Sequence, residues 1–290
     1  MNISGYWQRQ LPHLKQLIRW DKPIGSLLLL WPVCTALWIA SHGTPKASIL
    51  LVFIAGVFIM RSAGCIMNDI ADRKFDPHVM RTQNRPLATG QVSLLESLLL
   101  LFALLTAALL LLTTLNSLCF KLSWVALLLA AIYPFTKRWL PCPQLVLGLA
   151  FNWGIIMAFA AVLQEIPWTA WLLYTIAVVW TVAYDTIYSM VDQNDDQALG
   201  LKSSSILFGE HTTTVITWLY CIIIALLLIL GIGAKQHNWY FIAVGCCCLH
   251  FIWQRWELKK EDPDQYFKLF LSNRWAWLLI FAGCFLSYGA

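Results

Sequence analysis

Nine long apolar stretches divide this chain, and most of the polar segments between them carry lysine or arginine. The stretches run over about 24–41, 48–67, 94–115, 118–136, 144–164, 167–190, 212–234, 238–254 and 274–289, the last being the shortest. About 20 apolar residues in a row suffice for a helix to cross the hydrocarbon core. Lipid offers no partner to free backbone groups, and no stretch alternates residue by residue as a barrel strand does, so helices are the expected spanning form. The pattern predicts an all-α, polytopic membrane protein with nine transmembrane helices in one bundle.

Composition agrees. Hydrophobic residues make up 59% of the 290 residues and charged residues 12%, against about 25% charged in a soluble domain. The net charge of +5 includes no basic run of the kind that tracks nucleic acid. A charged N-terminus followed by apolar residues from Ile24 has the order of a signal peptide, but eight further apolar stretches make this an uncleaved first span. Most of the nine cysteines lie inside apolar runs, without a C-x-x-C or a zinc-like Cys/His spacing, and read as small buried hydrophobes.

Charge also tests the topology. With the N-terminus in the cytoplasm and nine crossings, sixteen lysines and arginines fall on the cytoplasmic side and three (Lys46, Lys121, Lys235) on the other. That asymmetry follows the positive-inside rule, which a wrong helix count would scramble. Arg61 alone lies inside a span, where an ionisable group marks a functional site.

Two cytoplasmic span ends carry clustered carboxylates. The first reads N-D-I-A-D-R-K-F-D and contains Asn68, Asp69, Asp72 and Asp76. The second reads D-T-I-Y-S-M-V-D-Q-N-D-D and contains Asp185, Tyr188, Asp192, Asp195 and Asp196. Spacings of three, four and seven put each set on one helix face. The recurrence suggests two related halves, about 20–140 and 141–290, within a single transmembrane domain spanning 1–290. Two carboxylates ~5 Å apart at an effective dielectric of ~20 repel by roughly 3 kcal/mol, so such clusters protonate or bind cations. Hard oxygen ligands suit Mg²⁺, held through carboxylates and substrate phosphates. Basic residues accompany each motif: Lys74 within the first, Arg81 and Arg85 after it, and Lys202 after the second. Arginine forks match phosphate oxygens, and metal with arginine is what a departing diphosphate needs.

These residues resemble the UbiA family of intramembrane aromatic prenyltransferases. Both aspartate motifs match its N-D-x-x-D-x-x-x-D and D-x-x-Y-x-x-x-D-x-x-x-D patterns. R-W-D-K-P-I-G (Arg19–Gly25), R-T-x-x-R-P-L (Arg81–Leu87), Y-P-F-T-K-R (Tyr133–Arg138) and G-L-K-S (Gly200–Ser203) are similar to its 4-hydroxybenzoate branch. The resemblance covers nearly the whole chain; Gln193 departs from it, standing where a basic residue is expected. It implies prenylation of 4-hydroxybenzoate ortho to its hydroxyl from a polyprenyl diphosphate, a step of ubiquinone synthesis, in a bacterial inner membrane with the active site facing the cytoplasm. No obligate protein partner is evident.

Under that resemblance the carboxylates hold Mg²⁺ against the diphosphate, and Lys74, Arg81, Arg85 and Lys202 neutralise the rest. Tyr184 and Tyr188 are candidates to face an allylic cation. Asp185 is the first candidate for the ring proton, with released diphosphate the alternative. An aromatic carboxylate in an apolar pocket needs a cation; by position Arg61 comes first, then Arg138, then Arg19, with Tyr188 beside them. Sister enzymes acting on a dihydroxynaphthoate, homogentisate or haem are the near alternative, and a secondary transporter the distant one.

Overall fold

The computed structural model describes residues 3–260 and 262–289. Among these the chain forms twelve α-helices and four short 3₁₀ turns, with no strand. A helix occurs at each of the nine predicted places. The elements in order are α1 (Ile3–Leu17), α2 (Ile24–Ala40), α3 (Ala47–Asp72), α4 (Leu94–Leu112), α5 (Ser117–Ile132) and α6 (Pro143–Leu163). They continue with α7 (Trp168–Val191), α8 (Gln193–Ala198), α9 (Ser204–Phe208), α10 (Thr212–Gly233), α11 (Asn238–Glu257) and α12 (Pro263–Gly289).

Seven described helices are long and apolar enough to cross a membrane: α3, α4, α5 with its following turn, α6, α7, α10 together with α9, and α12. The remaining two of the nine fall short for visible reasons. Helix α2 has 17 residues, and α11 carries Gln254, Arg255 and Glu257 in its last turn.

Local sequence explains most boundaries. Ser93 and Glu96 form a capping box at the start of α4, satisfying N–H groups that have no helical partner. Asn116 caps α5 and reaches across to the Ala160 carbonyl of α6 at 2.7 Å. Two boundaries differ from the sequence reading. Helix α12 begins eleven residues earlier than predicted, with Pro263 in its first turn, a position where its missing N–H costs nothing. Helix α3 extends past residue 67 to Asp72, and there it stops.

Helix α7 is the axis of the bundle. Of its most apolar window 72% is buried, against 6% for α4 and 11% for α5. It packs against α6, α10 and α12; α12 in turn packs against α2 and α11. Gly148 lets α6 approach α7: a Cβ there would lie 3.1 Å from the Val178 carbonyl oxygen, the small-residue contact common between membrane helices. Asn152 Nδ2 ties the same pair together, donating to the Gly148 carbonyl at 2.9 Å and Thr181 Oγ1 at 2.8 Å. Helix α4 packs principally on α3, whereas α5 packs on α6, so the two part after a short connecting turn.

Candidate active site

A cavity of about 990 Å³ opens between the two halves of the chain. Along α3 it is lined from Val52 to Asp72, about 30 Å at the helical rise, the thickness of a hydrocarbon core. One end is charged. The other is apolar, walled by residues such as Val33, Leu112, Trp124, Trp153 and Met157. Leu109, Phe120, Trp124 and Leu127 line the cavity and are exposed. This part of its wall is formed where α4 and α5 diverge.

The two acidic motifs meet at the charged end. Asp69, Asp72, Asp76, Asp185, Asp192 and Asp196 all line this one cavity, as do Asn68 and Tyr188. Three contacts stitch the halves together there. The Arg81 guanidinium forms an ion pair with Asp192, the Met80 N–H donates to Asp195 Oδ2 at 3.2 Å, and the Lys202 N–H donates to the Lys137 carbonyl at 2.8 Å.

Neither motif stays on one unbroken helix face. Asp76 was expected one turn beyond Asp72, but it sits in a 3₁₀ turn (Asp76–His78) after α3 has ended. Pro77 fits this break: it has no N–H to donate to the Arg73 carbonyl, and its ring would clash with that carbonyl in a continued helix. Asp76 still reaches the site through Arg85. In the second motif the chain bends at Asp192, which lies between α7 and α8. The Asp196 N–H still donates to the Asp192 carbonyl at 2.9 Å, so both side chains remain in the cavity.

Every strongly buried carboxylate of the first motif is paired with a cation. Arg19 Nη2 donates to Asp69 Oδ1 and Oδ2 at 2.9 and 3.0 Å. Arg85 Nη1 lies 3.0 Å from Asp69 Oδ1 and 2.9 Å from Asp76 Oδ2. Lys137 Nζ donates to Asp72 Oδ2 at 2.7 Å. Arg19 reaches Asp69 from a left-handed backbone conformation, φ 57°, which is costly for a residue with a Cβ. Seven aspartates and seven lysines or arginines line the cavity, so its wall is formally neutral.

Electrostatics outside the spans follow these pairings. Burial works against the charge of Arg81, but Tyr188, Asp192 and Asp196 around it raise its pKa overall. Arg85 is likewise raised, burial being outweighed by Asp69 and Asp76. Burial pushes the Asp196 carboxyl up to about 6, with Lys137 opposing the shift.

The donor set fits a divalent cation. Asp72 Oδ1 is buried with no hydrogen-bond partner, a bare hard oxygen at the cavity wall. Among the described residues no three His, Cys, Asp or Glu side chains converge into a ready-made cage. That matches Mg²⁺, which binds through one or two carboxylates and completes its shell with water and phosphate oxygens.

Deeper in, Arg61 lies over the Phe151 ring, its guanidinium carbon 5.4 Å from the centroid. Its Nε is buried and unpartnered. Gly25 makes room for it: a Cβ on Gly25 would lie 2.6 Å from Arg61 Nη2. Gly25→Ala should therefore push the guanidinium aside at small cost in stability, because the clash is with the end of a flexible side chain. With the acceptor role that the resemblance implies for Arg61, the expected result is roughly a tenfold rise in KM for the aromatic acceptor with the donor KM unchanged, read from steady-state kinetics of the purified variant. Tyr133, beside Phe151 at a ring separation of 6.5 Å, and Asp185 complete this region. The ring of Tyr188 packs 4.4 Å from Phe270 and carries the Arg81 guanidinium 4.6 Å above it. Tyr184 lies 5.9 Å from the same Phe270. The Tyr188 face thus already holds a cation.

The structure places three of the candidate residues away from the cavity. Lys74 was placed within the acidic helix and on the diphosphate; it lies beyond the end of α3 and lines a separate concavity. Arg138 was a candidate for the aromatic acid; it faces the same outer concavity, and its Nη2 donates to the Ala71 carbonyl at 2.7 Å. Asp195 was counted among the metal carboxylates, yet it does not line the cavity and instead accepts from the Met80 N–H. Arg19, ranked last for the acceptor, is committed to Asp69. Lys202 lines the cavity while donating to the Trp139 carbonyl at 3.0 Å. The residue missed was Lys137. It and Arg138 lie in the 3₁₀ turn Tyr133–Arg138, where residues three apart share a face. Lys137 follows buried Pro134 toward the cavity, and Arg138 follows exposed Phe135 outward.

The sequence model of the UbiA prenyltransferase family matches residues 29–281. The 4-hydroxybenzoate octaprenyltransferase of Tolumonas auensis is 48% identical over 285 residues, 98% of each chain. That of Aeromonas salmonicida is 48% identical over 273 residues, 94% of each. Among solved structures, the apo form of a UbiA homolog from Aeropyrum pernix K1 superposes with a TM-score of 0.78 at 25% identity, covering 89% of this chain and 97% of that one. A UbiA homolog from Archaeoglobus fulgidus bound to GPP and Mg²⁺ gives a TM-score of 0.75 at 17% identity, over 96% of this chain and 100% of that one. This second likeness is one of fold.

Proposed function

This chain belongs to the UbiA prenyltransferase family, and from that footing we propose that it moves a polyprenyl group from polyprenyl diphosphate to the ring carbon ortho to the hydroxyl of 4-hydroxybenzoate. Diphosphate is the second product. The observation that carries this reading is the convergence of two carboxylate motifs, distant in sequence, on one cavity that continues into an apolar tunnel. The full-length relatives named 4-hydroxybenzoate octaprenyltransferase support the choice of acceptor.

Asp69, Asp72, Asp76, Asp192 and Asp196 are the residues that would hold Mg²⁺ here. When bound, the metal supplies neutralisation of charge on the leaving diphosphate. The protein's own cations do the rest. Arg81, Arg85 and Lys137 turn from their carboxylate partners to phosphate oxygens, and Lys202 joins them. Their fixed donors match the charge that develops as the allylic C–O bond breaks. Tyr184 and Tyr188 face the resulting cation, worth about 2 kcal/mol or more when desolvated. Arg61 binds the acceptor's carboxylate and so aims its ring at the allylic carbon. Asp185, which makes no side-chain hydrogen bond or ion pair among the described residues, takes the ring proton as aromaticity returns. Arg61 and Arg81 provide the cationic field around it. The polyprenyl tail lies among the apolar residues between α4 and α5.

The strong lysine and arginine bias supports a cytoplasmic setting for the charged end of the cavity, and the family suggests a bacterial inner membrane. The two halves, about 20–140 and 141–290, act as one domain. An acceptor screen with one labelled donor tests the proposal. Prenylated acid and inorganic diphosphate should form fastest with 4-hydroxybenzoate. Phenol, which leaves Arg61 unpaired, should fall about 10²-fold in kcat/KM. Faster turnover of a dihydroxynaphthoate or homogentisate would assign the enzyme to a sister activity.

A further inference from the structure

A second concavity, of about 440 Å³, lies on the outer side of the active-cavity wall. Phe75 lines both spaces and, with the last turn of α3, separates them. The rim of the outer groove carries Arg73, Lys74 and Arg138. No carboxylate among the described residues forms an ion pair with any of the three. The nearby acids are engaged elsewhere: Asp72 holds Lys137, and Glu96 accepts from Ser93 at the start of α4. Inside the active cavity, by contrast, Arg19, Arg81, Arg85 and Lys137 are each paired with an aspartate.

Arg138 is fixed in place. Its Nη2 donates to the Ala71 carbonyl, and its guanidinium carbon lies 5.4 Å from the Phe75 centroid and 5.0 Å from that of Phe135. The floor beneath the cations is apolar and open to the outside: Leu94 is 37% exposed, Leu98 45% and Phe135 45%. From there the exposed leucines of α4 continue down into the span. Such a site has positive charge at the membrane interface and a greasy channel leading away from it.

We propose that this groove binds an anionic phospholipid of the surrounding leaflet. Its phosphate sits among Arg73, Lys74 and Arg138, and its acyl chains descend past Leu94, Leu98 and Phe135 along the outer face of α4. Basic pockets between transmembrane helices on the cytoplasmic side recognise anionic headgroups in this way, and the planar arginine fork suits a phosphodiester. A soluble phosphate would leave the leucine floor uncovered. The prenyl diphosphate donor is disfavoured because Phe75 stands between this groove and the carboxylates.

The test is native mass spectrometry of the full-length protein in detergent, with phosphatidylglycerol or phosphatidylcholine added at equal concentration. Phosphatidylglycerol should be retained preferentially. The triple variant R73Q/K74Q/R138Q should lose that preference, each cation removed weakening retention roughly fivefold. Should the triple variant not fold, R73Q alone, at an exposed position, should show the fivefold step. Equal retention of both lipids by the unmodified protein would overturn the proposal, as would a preference that survives the substitutions. Displacement of the retained lipid by equimolar geranylgeranyl diphosphate would also overturn it, reassigning the groove to the donor.

Discussion

Asp69→Asn and Asp192→Asn are each expected to cut prenyl transfer by about 10³-fold, the scale on which removing one preorganised transition-state contact acts. Asparagine keeps the size of the side chain and removes its charge. Asp69 is 1% exposed and takes both Arg19 and Arg85; Asp192 takes Arg81 across the two halves. Breaking a fully buried ion pair costs about 3–5 kcal/mol of stability. Here the arginines face an open cavity, and Arg85 keeps Asp76, so both variants should stay folded with a smaller loss. Initial rates at saturating Mg²⁺, beside a thermal melt in detergent, separate the two effects. Cys246→Ser, at an exposed position on α11, should leave both readings unchanged. Near-normal turnover by folded Asp69→Asn would mean that the carboxylates hold no metal.

Arg61→Ala should raise KM for 4-hydroxybenzoate by about 10²-fold, the upper range for one charge-assisted hydrogen-bonding group, and leave the KM of the donor nearly untouched. The buried, unpartnered Nε and the stack on Phe151 point the guanidinium at a ligand rather than at the protein. A neutral acceptor lacking the carboxylate should lose little further in the variant. If the donor KM rises instead, Arg61 belongs with the diphosphate group.

Much of this architecture was legible because membrane helices announce themselves by length, and because charge asymmetry reports their direction. Meeting of the two motifs could be inferred from their shared polarity and spacing. What escaped lay in the short polar connections. Pro77 was a readable signal that α3 would stop before Asp76, yet the aspartate spacing pointed to a continuous helix. The choice between Lys137 and Arg138 turned on a 3₁₀ turn with period three, and a period of 3.6 gives a different face. Phe151 and Phe270 had no signal at all: in a chain 59% hydrophobic, an aromatic residue at the site looks like any other facing lipid. The pairing of Asp69, Asp72, Asp76 and Asp192 with cations was also hidden. Positive-inside bias by itself would put lysines and arginines near these loops, whether or not they touch an acid.

On the proposed function, the parting of α4 from α5 would give the two products separate ways out. Diphosphate would depart through the polar mouth into water, whereas the prenylated ring, dragged by its tail, would slide between two helices into the bilayer. Once apart, they would sit in different phases and seldom re-encounter each other in the pocket. Partition would then make the transfer one-way, and a lipophilic product would reach the next membrane-bound step without crossing solvent.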